Sequence, residues 1–493
     1  MIAEHLPALQ VVVPLVAAPL ALLLRHPLAA WSVALAAALT SLGIALALLA
    51  RVIGGGVVSY ALGSWEPPWG IEYRVDAANA FVLVLVSLIA VFVVPYARRS
   101  VALEVPREQH YLLYALLCLC LAGLLGMAIT GDAFNFFVFL EISSLATYVL
   151  VALGRDRRAL MAAYQYLILG TVGATFIVIG VGLLYITTGT LNLADIAQRL
   201  PQEAGHRPVL AALAFLTVGI CLKLALFPLH AWLPNAYAYA PSAVTALLAG
   251  TATKVAIYAL MRFYFTVFGA RTVVDNLPLE DILLVLSIAA MFIASTIAVF
   301  QSDLKRMLAY SSVGQIGYIT LGISFASQTG LTAAVAHLFN HGITKATLFM
   351  LAGGIAARVG GTSFDSLAGI ARRMPLTCAG IVLGGLSLVG VPSTAGFVTK
   401  WYLVIAAVER EAWVIAAMPV LSSLIALAYM YRFVEVAYLR EPGPALAQVR
   451  EAPAALLVPA LGLAALVVAS GVYSTPVVDG AAAAARALLA GLR

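Results

Sequence analysis

Apolar residues run through this chain in blocks of about twenty, and short connections between the blocks carry most of the charge. A helix needs about 20 mostly apolar residues to cross the hydrocarbon core of a bilayer. By that measure the pattern predicts about fourteen spans, near residues 7–24, 28–50, 77–97, 111–130, 133–153, 160–187, 208–228, 242–261, 282–300, 307–326, 331–357, 376–405, 412–431 and 453–473. The predicted fold class is an all-α polytopic membrane protein. The opening block lacks a charged leader and a small-residue cleavage site, so it is expected to stay as the first helix.

Composition agrees: 63% of the 493 residues are hydrophobic and 10% are charged, which excludes a soluble globular domain. The net charge of +6 suggests no nucleic-acid partner, because in a membrane protein basic residues report topology. Numbering the connections alternately puts 15 basic residues on one side, Arg155, Arg157 and Arg158 among them, and 9 on the other. The richer side is expected to be cytoplasmic, with both termini facing outward. Cys118, Cys120, Cys221 and Cys378 lie in apolar runs and form no spacing suited to iron and sulfur.

The same count isolates the chemistry. Four basic residues fall outside the connections: Lys223, Lys254, Lys345 and Lys400, four of the five lysines in the chain; the fifth, Lys305, is assigned to a connection. Glu141, in FNFFVFLEISSLATYVLV, is the carboxylate that falls clearly inside a span. Each such group costs about 2.5 to 3.5 kcal/mol at a helix centre on insertion scales. A guanidinium stays protonated under any surroundings, whereas an amine shielded from water can give its proton up. A carboxylate beside such an amine favours the charged form of both, so making or breaking the pair switches the amine between holding and releasing a proton. These residue types at mid-membrane therefore point to a proton path. Lys400, about six residues from the end of its run, is the one lysine for which snorkelling to the headgroups is a serious alternative.

In HLFNHGITK, His337, His341 and Lys345 recur every four residues and form one polar stripe on a helix. Two histidines at that spacing suit zinc, but no third ligand is near and the lysine repels a cation, so no metal and no cofactor are expected. Imidazole can accept a proton on one nitrogen and release one from the other, which suits a relay.

Two spans contain breakers near their lysines. Pro228 follows Lys223 by five residues in KLALFPLHAWLP, and Pro392 and Gly396 precede Lys400 in GVPSTAGFVTK. Discontinuous helices at matching places in two halves point to a transporter built from repeats. The lysines are 177 positions apart, consistent with two five-helix units at residues 111–265 and 282–433, preceded by three helices in 1–110 and followed by one helix and a tail in 434–493. Tyr310, Ser311, Gln315 and Tyr318, with Ser144 and Thr147 after Glu141, are candidates to wet the route or simply to pack helices.

The runs LKLALFPLHAWLPNAYAYAPSAVTALLAGTATKVAIYALMR, LKRMLAYSSVGQIGYITLG, HLFNHGITKATLFMLAGG and GVPSTAGFVTKW resemble the proton-translocating antiporter-like subunits shared by respiratory complex I, membrane-bound hydrogenases and Mrp-type cation/proton antiporters. The likeness spans about residues 76–440, and GDAFNFFVFLEISSLATYVLVALG looks most like the D-type subunit of the Mrp antiporter. The resemblance implies fourteen core helices, two inverted five-helix repeats and broken seventh and twelfth helices. It makes Glu141 the carboxylate that modulates Lys223, Lys254 and the His337 stripe the central relay, and Lys400 the terminal lysine. It further implies partner subunits, a bacterial or archaeal inner membrane, and exchange of protons for a monovalent cation such as sodium. The rival it carries is a proton-pumping subunit of a redox complex. Sodium sites favour clustered oxygens, and one intramembrane carboxylate is few for that.

Overall fold

The computed structural model describes residues 2–53, 56–203, 205–269, 279–443 and 446–491. Helices α1 (Leu6–Leu24) and α2 (Pro27–Ile53) form the first hairpin, and α3 (Ala77–Glu104) packs back against α2. A short antiparallel pair, β1 (Val58–Ala61) with β2 (Glu72–Val75), Val58 opposite Val75, caps the face that carries the N-terminus. Asp76 then starts α3 with a capping box, its side chain accepting from the Ala78 and Asn79 amides.

Next come α4 (His110–Ile129), α5 (Ala133–Ala152), α6 (Arg158–Thr188), the amphipathic α7 (Leu193–Glu203) and α8 (Arg207–Leu224). The chain unwinds from Ala225 to Trp232 and resumes as the short α9 (Leu233–Tyr239). The eighth predicted span is also interrupted: α10 (Ser242–Gly250) and α11 (Ala252–Met261) meet at Thr251, whose φ and ψ of −123° and −55° are not helical. A π-helical stretch, Arg262–Val267, continues it.

In the second half α12 (Leu279–Ala289) passes through a π-helical turn into α13 (Ser295–Val299), followed by α14 (Leu304–Ser324) and the long α15 (Gln328–Val359). The twelfth predicted span is cut into α16 (Pro375–Val389) and α17 (Ala395–Glu409). Then come α18 (Trp413–Val434), α19 (Ala454–Val472) and α20 (Thr475–Ala490).

Among the described residues twelve helices are long and apolar enough to cross a membrane, or thirteen if a bent pair at 364–389 counts as one. The predicted spans that fall short of that test are the tenth, where α14 carries too many polar groups, and the twelfth, because it is broken. The expected tail is instead the helix α20, whose Ala481, Ala484, Ala485 and Leu488 face α3 and α15 and are fully buried.

Two assignments drawn from hydropathy change. Arg262, expected in an outer connection, is 5% exposed and grips Asp76 through two bonds, Nη1–Oδ2 at 2.7 Å and Nη2–Oδ1 at 2.8 Å. Lys305, also expected in a connection, is 6% exposed in the first turn of α14, where Nζ donates to Ser242 Oγ at 2.9 Å. Both charges are tolerated because each finds polar partners inside helix packing, which removes most of the desolvation cost.

Candidate functional site

The intramembrane lysines and histidines all turn inward. Lys254 and Lys345 are fully buried, His337 and His341 are 2% exposed, and Lys400 is 7% exposed, so Lys400 does not snorkel. They belong to the broken helices and to α15, which packs against α10, α14 and α17 and so gathers groups from both halves.

The first group centres on Lys223, in the last turn of α8. Its Nζ donates to Ser144 Oγ at 2.9 Å and to Tyr148 OH at 3.3 Å, and lies 4.0 Å from Glu141 Oε1. Glu141, Ser144 and Tyr148 share one face of α5 by their spacing of three and four. The Lys223 side chain is 8% exposed and that of Glu141 25%. Glu141 is therefore a half-buried carboxylate at the flank of the bundle, whereas Asp76 and Glu72, near the span ends, are more enclosed at 6% and 3%. A cavity of about 30 Å³ beside Lys223, lined by Ser143, Ser144, Tyr166, Ala252 and Ala256, has room for about one water and reaches α11.

The central group lies where α10, α11 and α15 meet. A Cβ on Gly342 would stand 2.9 Å from the Gly250 carbonyl, so glycine there lets α15 approach the break at Thr251. Lys254 Nζ donates to the Ala249 carbonyl exposed by that break and to Thr253 Oγ1 at 3.3 Å. Lys345 Nζ donates to the Leu308 carbonyl at 2.8 Å and to Ser311 Oγ at 2.5 Å. His337 and His341 stack with ring centres 5.8 Å apart. Lys254 stands on α11, which packs against the α15 helix that carries Lys345, His341 and His337. Both ring nitrogens of His341 are buried and unpartnered among the described residues.

The third group closes on Lys400. Nζ donates to the Leu388 and Val389 carbonyls at 2.8 and 3.0 Å and to Ser423 Oγ at 2.8 Å, and sits 4.4 Å from the centre of the Tyr318 ring. The carbonyls are free because α16 ends there, at Gly390 with φ +87°. Shared hydrogen bonds tie this lysine to the stripe: His337 Nδ1 meets Thr399 Oγ1 at 2.7 Å, Nε2 meets Gln315 Oε1 at 3.0 Å, and Gln315 Nε2 donates to the same Leu388 carbonyl at 3.3 Å.

Sequence reasoning found every lysine and both histidines of this row, with Ser144, Ser311, Gln315 and Tyr318. It missed Tyr148, Thr399 and Ser423, hydroxyl groups with no signal in a single sequence beyond helical spacing. Tyr310 lies apart from the lysines, its ring 6.2 Å from that of His230 in the unwound stretch after α8. On the arginine-rich face, Asn235 joins Gln165 at 2.8 Å and Arg306 at 2.8 Å, and Arg306 reaches Tyr239 OH at 3.3 Å. Asn235 and Gln165 stand in sequence near Trp232 and Tyr166, whose rings stack at 4.1 Å, and Tyr148 packs edge-on against Tyr166. Polar groups thus lead from that face to an aromatic layer in front of Lys223.

Residues 130–426 match the family described as NADH:quinone oxidoreductase/Mrp antiporter, TM. Over 96% of its length the chain is 43% identical to 97% of NADH-quinone oxidoreductase subunit N of Desulforudis audaxviator. It is 32% identical to the D-type subunit of the Na(+)/H(+) antiporter of Alkalihalophilus pseudofirmus, over 88% of this chain and 87% of that one. A chain of the Mrp complex from a Dietzia species superposes with a TM-score of 0.90 at 29% identity, covering 99% of this chain and 98% of that one. The resemblance read from the motifs holds at family level. The narrower expectation of a D-type Mrp subunit is not favoured over its rival, since the oxidoreductase relative matches more of the chain at higher identity.

Proposed function

We infer function from the premise that this chain belongs to the NADH:quinone oxidoreductase/Mrp antiporter membrane family, whose members named above are subunits of multi-subunit assemblies. Its partners are accordingly other subunits of such an assembly. We propose that within it the chain moves protons across the bilayer along Glu141, Lys223, Lys254, Lys345, His341, His337 and Lys400.

What carries this reading is the buried row of amines and imidazoles that ends at Lys400. There Gln315, hydrogen-bonded to His337, and Lys400 both donate to the Leu388 carbonyl and so hold the imidazole and the amine beside one another. The proton itself passes by water, since a carbonyl only accepts. Lysine supplies proton-holding sites that a bilayer interior does not, and imidazole passes protons between its two nitrogens. Glu141 biases Lys223: at 4.0 Å its negative charge favours the ammonium, and withdrawal of that charge favours release. Protons reach Lys223 from the arginine-rich face, past Asn235 and the aromatic layer, and leave Lys400 toward the opposite face. The small cavity beside Lys223 takes a water that links the first group to α11.

The driving energy comes from outside this row. One reading is exchange against a monovalent cation such as sodium in an Mrp-type antiporter of the cell membrane, supported by the Na(+)/H(+) antiporter relative. The other is pumping driven by electron transfer in partner proteins, supported by the oxidoreductase relative. The row holds a single carboxylate, itself a quarter exposed, and its clustered carbonyl and hydroxyl oxygens are occupied by lysine ammonium groups, which favours a sodium path in another member of the assembly in the antiporter case. Sodium-dependent proton movement by the purified assembly in proteoliposomes decides between them: flux that needs sodium supports exchange, and flux that needs a quinone or another electron acceptor supports pumping. Proton movement that survives replacement of Lys223 by alanine in a fully assembled complex contradicts the proposed path itself.

A further inference from the structure

The third group has a polar way out that none of the residues above explains. On the face that carries the N-terminus, the start of α12, the end of α14 and the turn between α17 and α18 enclose a cavity of about 360 Å³, lined among others by Glu280, Asp281, Ser324, Phe325 and Arg410. Arg410 Nη2 lies 3.5 Å from Glu280 Oε2, with side chains 44% and 22% exposed. The guanidinium also covers the Phe325 ring at 5.9 Å. The second carboxylate oxygen, Glu280 Oε1, is buried and has no hydrogen-bond partner among the described residues.

Between this cavity and Lys400, hydroxyl groups recur on three facing helices. Ser423 Oγ, which accepts from Lys400, lies 3.5 Å from Tyr318 OH. Ser422 Oγ donates to the Met291 carbonyl at 3.0 Å, and Ser287 Oγ donates to Thr320 Oγ1 at 2.6 Å, with all three of these hydroxyl side chains fully buried. Ser324 then lines the cavity. From Tyr318 to Ser324 the rise along α14 is about 9 Å at about 1.5 Å per residue. Tyr318 faces Ser423 of α18 whereas Thr320 faces Ser287 of α12, and Ser423, Thr320 and Ser324 also donate to carbonyls of their own helices. The hydroxyls thus form separate pairs that water must join before a proton passes along them by reorientation. Toward the same face in the first half, the buried positions of α8 are Leu216, Leu213, Ala212 and Val209, relieved by one Thr217–Tyr264 hydroxyl contact at 2.8 Å, and the hydroxyls of Tyr258 and Thr266 are taken up by Arg262, itself paired with Asp76.

We propose that Glu280 is the last proton-bearing group of the second half and that its ion pair with Arg410 gates release to the N-terminal face. This rests on the proton path proposed above. A proton leaving Lys400 crosses the hydroxyl row and bonds to Glu280 Oε1. The neutral carboxyl loses its attraction for Arg410 and the pair parts. The carboxyl then gives the proton to water at the mouth, and the restored carboxylate recaptures the guanidinium. Each proton lost by one group is gained by the next, and no other reactant is consumed. The proposal also gives a reason for a buried carboxylate oxygen without a donor, an arrangement that otherwise only costs free energy.

The test uses the complete assembly in membrane vesicles. Glu280→Gln keeps the shape but cannot carry the proton, and is expected to lower proton flux by about a hundredfold, the low end for loss of a positioned acid–base group; Glu280→Asp is expected to retain most of it. Wild-type flux in Glu280→Gln overturns the relay. Gating is read separately with Ser324→Cys, since the four native cysteines are buried. An impermeant thiol reagent added from the N-terminal face is expected to label it about fivefold faster when Arg410→Gln is added, by loss of a latch of about 1 kcal/mol. Unchanged labelling overturns the gate. Lys400→Ala is measured alongside: flux kept in that variant too means that the proton path fails, whereas flux lost there but kept in Glu280→Gln removes the Glu280 assignment alone.

Discussion

Lys223 and Lys400 sit at the two helix breaks and are held in opposite ways. Lys223 is met by two hydroxyls and by a carboxylate at 4.0 Å that is itself a quarter exposed. Lys400 is met by two backbone carbonyls, one hydroxyl and an aromatic face, with no carboxylate in contact among the described residues. A carboxylate can move or be answered by a neighbouring protein of the assembly, so it is an adjustable partner. Carbonyls at the end of α16 are fixed by the backbone and present the negative end of a helix dipole. The first lysine is therefore held by an adjustable partner, and the second by partners that the backbone keeps in one place.

The largest effects are expected from removing the amines. Lys223→Ala and Lys400→Ala should each lower proton flux by at least about a hundredfold, a range typical of positioned acid–base groups, with assembly intact. Lys223→Arg and Lys400→Arg should be as inactive, because a guanidinium cannot release a proton in a protein. Flux in either arginine variant, measured by fluorescence quenching in vesicles, would show that charge alone suffices and would erase the comparison.

Glu141→Gln should cost about tenfold in flux, equivalent to about 1.4 kcal/mol, with binding and assembly unchanged. The loss is smaller than for the lysine because Ser144 and Tyr148 still hold the amine. An unaffected Glu141→Gln would make the first half as fixed as the second. Gly390→Ala perturbs only the second half: the residue has φ +87°, and a Cβ would stand 2.8 Å from Lys400 Cδ. It is expected to destabilise the assembly by about 1 to 2 kcal/mol from the left-handed backbone alone, read as a lower thermal midpoint in detergent. The smallest effects, about threefold in flux, are expected for Ser144→Ala and Ser423→Ala, each the loss of one hydrogen bond among several, at the low end of about 0.5 to 1.5 kcal/mol.

Much of this site was legible in the sequence because ionisable groups inside apolar runs are costly and stand out. The His337, His341, Lys345 stripe follows from helical period alone, and all three side chains lie buried on one side of α15. The breaks at Pro228 and at Gly390 to Thr394 were likewise visible as proline and glycine beside lysine. Arg262 and Lys305 were misplaced for the converse reason. Hydropathy ends a span at the first charge, but Asp76 and Ser242, from distant segments, supply partners that let those helices continue inward. Glu141 lies mid-way along α5 as its sequence position implies, but because α5 is apolar all round its period does not say which face meets neighbouring helices, and the side chain stands 25% exposed at the flank.

By itself the sequence determined that the chain crosses a membrane many times, that two of its helices are broken, and that amines and imidazoles stand inside its apolar spans. Each of these follows from the cost of placing polar atoms in hydrocarbon, which is a local property of a segment. Only the tertiary structure decided which hydroxyl and carbonyl meets which lysine, that His337 is tied to Lys400 through Gln315, and that Glu280 pairs with Arg410 in the wall of a cavity on the face that carries the N-terminus. Those facts depend on the rotation and approach of helices remote in sequence, which are set by side-chain interlocking over the whole bundle and leave no periodic trace in any one stretch.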